Sequence, residues 1–509
     1  MKIHRTKNAA RNIVFSGLTK IVNLIVPFIM RSVILHFLGV QYLGLSGLFR
    51  SILSILNLAE LGVGSAMVFS MYKPIAEDDT DTICALMRLY RSFYRLIGLF
   101  IAIVGLALTP FLRTLIKGDL PPDMNLYILY FMNLGNTVLT YWLFAYKNSL
   151  LAAHQRGDIG SKISLAVHLV EYVLKIAVLV FLRNYYIYLG IQLATQIAIN
   201  VLTSLRVDKL YPQYSPRGSL PREQMLDIIR RVRDLFTSKF SNVIFNSADT
   251  LVITAFMGLA PLAIFQNYFF VITSLRILID VIVGACIAGI GNSLVTESEE
   301  KNYRDLERYS FLFAILLSVS TPMLLCMYQP FIEIWMGKDY LLSFATVICF
   351  TVYYYSMGVN KLINMFKDAA GIWRRDRWRP LVGAFVNLGL NLATVQWLGL
   401  YGVVLSSVIS IVLVQIPWLF HNLFQEVFPH KYLWRYVKLF SGFVAVTFLC
   451  CSSAWLLCSL FQLDPWPTFF VNMLISAAVP SLLFFLIYRN HPLFHASVKL
   501  VQRLVFGKR

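Results

Sequence analysis

Residues 262–292 read LAIFQNYFFVITSLRILIDVIVGACIAGIGN, an apolar run that contains one arginine, Arg276, and one aspartate, Asp280. A helix crosses the hydrocarbon core of a bilayer, about 30 Å thick, with roughly 20 apolar residues, because its backbone polar groups bond within the segment. The run is therefore predicted to be a transmembrane helix. Its arginine is unusual there, because a cation at the bilayer centre costs roughly 2.5 to 3.5 kcal/mol.

Similar apolar runs recur along the whole chain of 509 residues. Its hydrophobic content of 58% exceeds the roughly 45–50% that is typical of soluble domains. The sequence predicts an all-α polytopic membrane protein with 14 transmembrane helices. The predicted spans are residues 11–37, 42–71, 92–112, 125–149, 160–182, 186–205, 236–257, 262–292, 310–336, 341–366, 380–398, 401–423, 436–461 and 467–488.

The positive charge of the predicted loops indicates the orientation of the chain. With a cytoplasmic N-terminus, 35 of the 45 Lys and Arg residues fall in inner loops and tails, and four fall outside. The positive-inside rule then places both termini in the cytoplasm. The net charge of +19 is explained by inner loops that face an anionic leaflet, so nucleic acid is not an expected partner. The seven cysteines show no zinc-type spacing, and no metal site is expected.

Two short echoes indicate an internal repeat. GVGS at residues 62–65 is matched by GIGN at 289–292, and AAHQRGD at 152–158 is matched by AAGIWRRD at 369–376. Because the offset spans six helices, an even number, the two halves are predicted to share one membrane orientation. We therefore predict two six-helix pseudo-symmetric bundles and two additional C-terminal helices.

The predicted domain boundaries follow from this repeat and from a polar, proline-containing segment in the middle of the chain. They are residues 1–206 for the N-terminal six-helix bundle, 207–235 for a cytoplasmic linker, 236–425 for the C-terminal six-helix bundle, and 426–509 for two extra transmembrane helices with a cytoplasmic tail.

Six basic residues fall within the predicted spans, and some have a structural explanation. Glu171 and Lys175 are four residues apart and can pair on one helix face, and Arg276 and Asp280 have the same spacing. Arg31 and Lys20 lie close enough to helix ends to reach the membrane surface. Arg50 and Lys361 have no acidic residue three or four positions away, so a structural role explains them less well.

A binding role is the alternative, because predicted helices one, two, seven and eight each carry a polar stripe. A polar cavity between the two bundles would accommodate all four stripes, and its arginines would suit an anionic group, since guanidinium pairs bidentately with phosphate oxygens. The candidate substrate-binding residues are Arg31, Arg50, Arg276, Lys20, Lys361, Asn57 and Asn246. The candidate ion-coupling residues are Asp249, Glu60 and Asp280.

Four stretches resemble a known family. RSVILHFLGVQYLGL at 31–45, LAELGVGSA at 58–66, YKPIAEDD at 72–79 and SADTLVI at 247–253 are similar to the pattern of bacterial polysaccharide flippases of the O-antigen and teichuronic acid type. These proteins belong to the multidrug/oligosaccharidyl-lipid/polysaccharide exporter superfamily. The resemblance implies a multi-pass protein of the bacterial cytoplasmic membrane that moves undecaprenyl-pyrophosphate-linked oligosaccharide from the inner to the outer leaflet by alternating access, for cell-surface polysaccharide biosynthesis.

The resemblance also implies residue roles and partners. Lipid II flippases of the superfamily place cavity arginines on helices one, two and eight, where Arg31, Arg50 and Arg276 fall. The expected partners are the lipid-linked glycan, the bilayer, and polysaccharide polymerase or assembly proteins. No cofactor is expected, and H⁺ or Na⁺ is the expected coupling ion, with the membrane potential as an alternative driving force.

Two other functions stay open at this stage. A cation-coupled multidrug or small-molecule exporter of the same fold would favour a cavity rich in carboxylates, whereas the candidates here are mostly basic. A polytopic glycosyltransferase or polymerase would need a large extracytoplasmic loop with catalytic residues, and the predicted outer loops are very short. We therefore expect that the protein is not an enzyme.

Overall fold

The computed structural model describes residues 5–497 except residues 61, 119, 122, 462 and 463. The side chains of residues 5–14, 16, 59, 231, 234–239, 241, 242, 246 and 374 also lie outside the described set. The chain is divided between Ala263 and Ile264 into two compact units, which we call the first and the second unit.

The first unit is built from helices whose starts are fixed by side-chain caps at several points. The side chain of Asn125 accepts hydrogen bonds from the next helix's backbone, and Asn184 and Asp79 do the same for two other helices. The helices are α1 (Arg5–Phe37), α2 (Val40–Leu56), α3 (Val63–Ala76), α4 (Thr80–Leu108), α5 (Leu126–Trp142), α6 (Tyr146–Ala153), α7 (Gly157–Ala177), α8 (Tyr185–Leu210) and α9 (Arg222–Met257).

The second unit holds most of one long helix and seven others. Ser298 and Ser343 cap two of them through their hydroxyl groups. The helices are α10 (Leu259–Thr296), α11 (Glu299–Met336), α12 (Phe344–Ala369), α13 (Trp373–Asp376), α14 (Arg379–Ile409), α15 (Ile416–Glu426), α16 (Leu433–Ser459) and α17 (Pro465–Tyr488). Gly399, with φ 56° and ψ −137°, interrupts α14. The part before it matches the predicted span 380–398, and the part after it continues through a π-helical stretch (Ser410–Gln415) and α15 along the predicted span 401–423.

The helical membrane fold predicted from the sequence is confirmed. Among the described residues, nine helical segments are long and apolar enough to cross a membrane, and two shorter apolar helices, Val40–Leu56 and Val243–Met257, accompany them. Each of the fourteen predicted spans overlaps a helix or a pair of helices. The predicted span 42–71 consists of α2 and α3, because a 3₁₀ turn (Asn57–Glu60) and Gly62, with φ 97°, separate them.

The domain boundaries of the sequence analysis stay a prediction. The segment predicted as a cytoplasmic linker, residues 207–235, contains the end of α8, irregular residues 211–221 and the first turns of α9. Helix α9 packs against α2 and α3 and belongs to the first unit.

One echo of the sequence repeat has a structural counterpart in the first unit. Asp158 is fully buried at the start of α7. The Nε of Arg156 donates to its Oδ1 at 2.9 Å, and the ammonium of Lys162 lies 3.5 Å from its Oδ2. A buried carboxylate needs such partners, because desolvation of an unpaired charge is costly. The contacts fix the connection between α6 and α7.

The equivalent aspartate of the second unit is Asp376, which is also buried. The Nε of Arg379 donates to it at 2.6 Å and the amide of Asn422 at 3.0 Å, and the ammonium of Lys367 lies 3.3 Å away. These partners lie on α12, α14 and α15, so one carboxylate ties three helices together. The matched aspartates of the two sequence echoes thus have the same buried, cation-paired environment within their own units.

Candidate functional site

A buried ion pair lies on α7 of the first unit, within the predicted span 160–182. The ammonium of Lys175 lies 2.6 Å from Oε1 of Glu171, and the two side chains are 5% and 6% exposed. Nδ1 of His168 lies 2.8 Å from the other carboxylate oxygen, and Lys175 also donates to Gln192 at 3.2 Å. The pairing predicted from the four-residue spacing is confirmed.

Two arginines lie beside this ion pair. Arg50 on α2 is within electrostatic range of Arg31 on α1 and of Lys175 on α7. Tyr188 of α8 is within range of both arginines, and its ring lies 4.4 Å from the ammonium of Lys175. The structure thus brings Arg31 and Arg50 into one group, which we call the first-unit cation cluster.

Three cations converge in the first-unit cation cluster. Its cations are Arg31, Arg50 and Lys175, and its carboxylate is Glu171. Arg50 is exposed at the protein surface, whereas Arg31 is half-buried and Lys175 is buried. Because these like charges repel each other, an anion that reaches the exposed Arg50 would be attracted by the neighbouring cations as well.

The break between α2 and α3 positions a second group, around Glu60. The hydroxyl of Tyr94 donates to Oε1 of Glu60 at 3.3 Å and accepts from Tyr90 at 2.6 Å. The hydroxyl of Tyr141 donates to Oδ1 of Asn57 at 3.2 Å, and its ring packs edge-on against Tyr94. Glu60 and Asn57 are therefore brought together at an interrupted helix, an arrangement that transporters use to bind ions.

In the second unit a single carboxylate lies between two cations. Oδ1 of Asp280 is 2.7 Å from the ammonium of Lys361 on α12, and its Oδ2 is 3.6 Å from Nε of Arg276 on α10. The three side chains are about one-third exposed, and Arg276 and Lys361 border a narrow cleft next to Tyr354 and Gly358. The predicted pairing of Arg276 with Asp280 is confirmed, and Lys361 has a partner that its own helix does not supply.

The remaining candidates are placed as follows. Lys20 is exposed on α1, and Asp249 is buried on α9. Asn246 is also on α9, and its side chain lies outside the described residues. The binding and coupling roles assigned to all ten candidates stay predictions.

Sequence reasoning missed several members of these groups. Tyr90, Tyr94 and Tyr141 surround Glu60, and Tyr188 and Gln192 line the first-unit cation cluster. The spacing of Tyr90 and Tyr94, four residues apart on one helix face, is the only signal that the sequence offered. The other partners lie on different helices and leave no local pattern.

Comparisons with known proteins identify solved structures that share this architecture. No protein-family model and no curated protein sequence matches the chain. A solved structure of the lipid II flippase MurJ in an inward closed conformation matches 94% of this chain and 99% of its own, with a TM-score of 0.65 and 15% identity. An inward-facing MATE-family multidrug resistance transporter of the MOP superfamily matches 80% of this chain and 94% of its own, with a TM-score of 0.62 and 15% identity.

This chain has the fold of the MOP-superfamily transporters. A third match within that fold is a MOP-superfamily transporter from Pyrococcus furiosus, described by the reverse polarity of its binding pocket. It covers 84% of this chain and 96% of its own, with a TM-score of 0.51 and 14% identity. The fold that the sequence predicted is thereby confirmed. At such low identity the substrate must be inferred from the residues of this MOP-fold chain itself.

Proposed function

We propose that this protein is a flippase that moves undecaprenyl-pyrophosphate-linked oligosaccharide from the inner to the outer leaflet of the bacterial cytoplasmic membrane by alternating access. The observation that carries the proposal is the convergence of cations within each unit. In the first unit Arg50 lies within electrostatic range of Arg31 and Lys175, and in the second unit Arg276 and Lys361 both approach Asp280. The fold shared with a lipid II flippase supports the same substrate class.

The chemistry of the converging arginines favours a pyrophosphate. Arginine stays charged when it is desolvated, and its planar fork matches two phosphate oxygens at once. In the first unit, Glu171 is paired with Lys175 at 2.6 Å, and the neighbouring Arg50 is exposed at the surface, where an anion can reach it. In the second unit, Asp280 holds Lys361 at 2.7 Å, while Arg276 is farther away at 3.6 Å and is better able to contact a substrate.

The proposal includes orientation and partners. Both termini lie in the cytoplasm, as the distribution of basic residues requires. The polyprenyl tail stays in the lipid, and the glycan is delivered to polymerase or assembly proteins for cell-surface polysaccharide. Transport involves no covalent step, so the protein is not an enzyme.

Release of the anion needs weaker binding when the site faces outward. Glu60 is our proposed coupling group, because a carboxylate hydrogen-bonded to tyrosine at an interrupted helix is suited to exchange H⁺ or Na⁺. Asp280 is less suited, since two cations already neutralise it. The membrane potential adds about 2.3 kcal/mol per elementary charge for every 100 mV, which drives an anion outward.

A cation-coupled exporter of the same fold is the second candidate, and the surroundings of Glu60 favour it. Three tyrosines and Asn57 around one carboxylate would also suit an organic cation, because aromatic rings and a carboxylate both attract positive charge. The two candidates make opposite predictions for the arginines, since a cationic drug gains nothing from them.

The test is a flipping assay in cells or proteoliposomes with Arg50→Ala and Arg276→Ala. Each arginine that binds the pyrophosphate contributes a charged hydrogen bond of about 1.5 to 3 kcal/mol, so transport should fall roughly ten- to a hundredfold. Arg50→Lys should restore part of it, and Lys73→Ala, a change at an exposed side chain, serves as the control. Wild-type transport in both alanine variants would reject the proposal, and drug efflux that requires Glu60 but neither arginine would establish the exporter instead.

A further inference from the structure

A basic groove in the second unit lies outside the groups described so far. It has a volume of about 690 Å³ and is lined by the first turns of α11 and α16 and by the residues that follow α17. Its cationic members are Arg304, Arg308, Arg435 and Lys438. The lining comes from the predicted inner loop at 293–309, from the predicted inner loop at 424–435 with the start of the span that follows it, and from the end of the last span with the C-terminal tail. The structure thus places these segments at the same end of the unit.

The charges of the groove are not balanced by its own carboxylates. Arg308 is paired with Asp305 at 2.9 Å, and Arg435 is paired with Glu307 at 3.1 Å. Arg304 and Lys438 are exposed and have no carboxylate partner among the residues that the structure describes. Two positive charges are therefore available to a ligand from outside the chain, one from α11 and one from α16.

The floor of the groove is apolar. Leu439, Tyr488 and Leu493 line it, and they pack on the core cluster around Phe311. Gly442 also lines it, one turn deeper than Lys438, and a side chain placed there would meet no protein atom within 4 Å. The cations could bind the headgroup of a lipid, and the open apolar channel could hold its acyl chain.

The depth of the groove fits the edge of the bilayer. The charged residues of α11 and α16 lie in their first turns, and the apolar parts of both helices follow directly. Trp434, next to Arg435, is 79% exposed. Tryptophan is enriched at the headgroup level of membranes, and basic residues near the surface attract anionic lipids.

We propose that this groove binds the phosphate headgroup of an anionic membrane lipid, with one acyl chain passing over Gly442. The bound lipid links α11 to α16 and so holds the last two helices against the rest of the second unit. This site is independent of what the protein transports. A soluble phosphate ester shares the headgroup chemistry, and the open apolar channel beneath the cations favours the lipid.

The test measures lipid binding to the purified full-length protein in a neutral detergent, by native mass spectrometry or by the shift in melting temperature. Phosphatidylglycerol is compared with phosphatidylcholine of the same chains, and inorganic phosphate and glycerol phosphate are the soluble competitors. The wild type should bind phosphatidylglycerol at least tenfold more tightly than phosphatidylcholine, and millimolar soluble phosphate should not displace it. Equal binding of the two lipids, or displacement by the soluble anions, would overturn the proposal.

Three variants localise the binding. Removal of both unpaired charges, Arg304→Gln with Lys438→Gln, should weaken phosphatidylglycerol binding about ten- to thirtyfold, since two surface cations are lost. Gly442→Phe fills the channel and keeps every charge, and it should weaken phosphatidylglycerol binding to a similar extent. This variant tests the proposal independently if the double variant folds poorly. Arg206→Gln with Lys209→Gln removes two exposed charges from the first unit as a matched control and should change affinity less than twofold. An equal loss in this control, or unchanged binding in Gly442→Phe, would show diffuse attraction in place of a site.

Discussion

The ion pair between Glu171 and Lys175 gives the most quantitative prediction. Its side chains are only 5% and 6% exposed, and the ion-pair distance is 2.6 Å. Removal of one member of a buried pair leaves an uncompensated charge and typically costs about 3 to 5 kcal/mol. We therefore expect Glu171→Gln to lower the free energy of unfolding by roughly that amount, because Gln192 is the only other group that accepts a hydrogen bond from Lys175 among the described residues.

The assay is reversible denaturation in mixed micelles, followed by tryptophan fluorescence. The double variant Glu171→Gln with Lys175→Met should recover most of the loss, because no charge then stays buried. The exposed pair of Lys73 and Glu77, 83% and 58% exposed at 3.8 Å, supplies the matched control, and Glu77→Gln should cost less than about 1 kcal/mol. A cost below about 1 kcal/mol for Glu171→Gln, or a double variant less stable than the single one, would refute the reasoning.

Three further predictions concern stability. Gly44→Ala should destabilise the first unit by about 1 to 3 kcal/mol in the same denaturation assay, because its Cβ would overlap the carbonyl group of Leu259, whereas Gly135→Ala, with open space at Cβ, should be neutral or stabilising. Burial lowers the pKa of His154, so the unfolded chain binds a proton more readily than the folded protein. The stability of the protein should therefore fall as the pH drops through the ordinary histidine range. His154→Phe should flatten this dependence in thermal denaturation between pH 8 and 5. Asp376→Asn should cost about 3 to 5 kcal/mol, since the buried guanidinium of Arg379 loses its carboxylate partner, and unaltered thermal stability would contradict this.

The sequence predicted the helices well because membrane spans are selected by length and hydrophobicity, which are local properties. The pairs Glu171–Lys175 and Arg276–Asp280 could be predicted for a similar reason, since a four-residue spacing places two side chains on one helix face. The break of the second predicted span could not be predicted from Gly62 alone, because glycines are frequent in membrane helices.

Contacts between helices could not be predicted from the sequence. Lys361 pairs with Asp280, which lies 81 positions earlier in the chain. The tyrosines around Glu60 come from α4 and α5, and their hydroxyl groups leave no signal in a hydropathy pattern. Such partners are brought together by the packing of helices, and residues that are distant in the chain leave no local sequence pattern. The candidate residues could thus be identified by type, whereas their grouping required the fold.

The proposed flippase activity depends on recognition of a diphosphate by arginines within the membrane. The most direct measurement compares the binding of undecaprenyl pyrophosphate and of uncharged undecaprenol to the wild type and to Arg50→Gln, by native mass spectrometry of the purified protein. We predict that the wild type prefers the pyrophosphate at least tenfold and that Arg50→Gln loses most of this preference while its affinity for undecaprenol is unchanged. Equal affinity of the wild type for both lipids, or a preference that Arg50→Gln retains in full, would contradict the account.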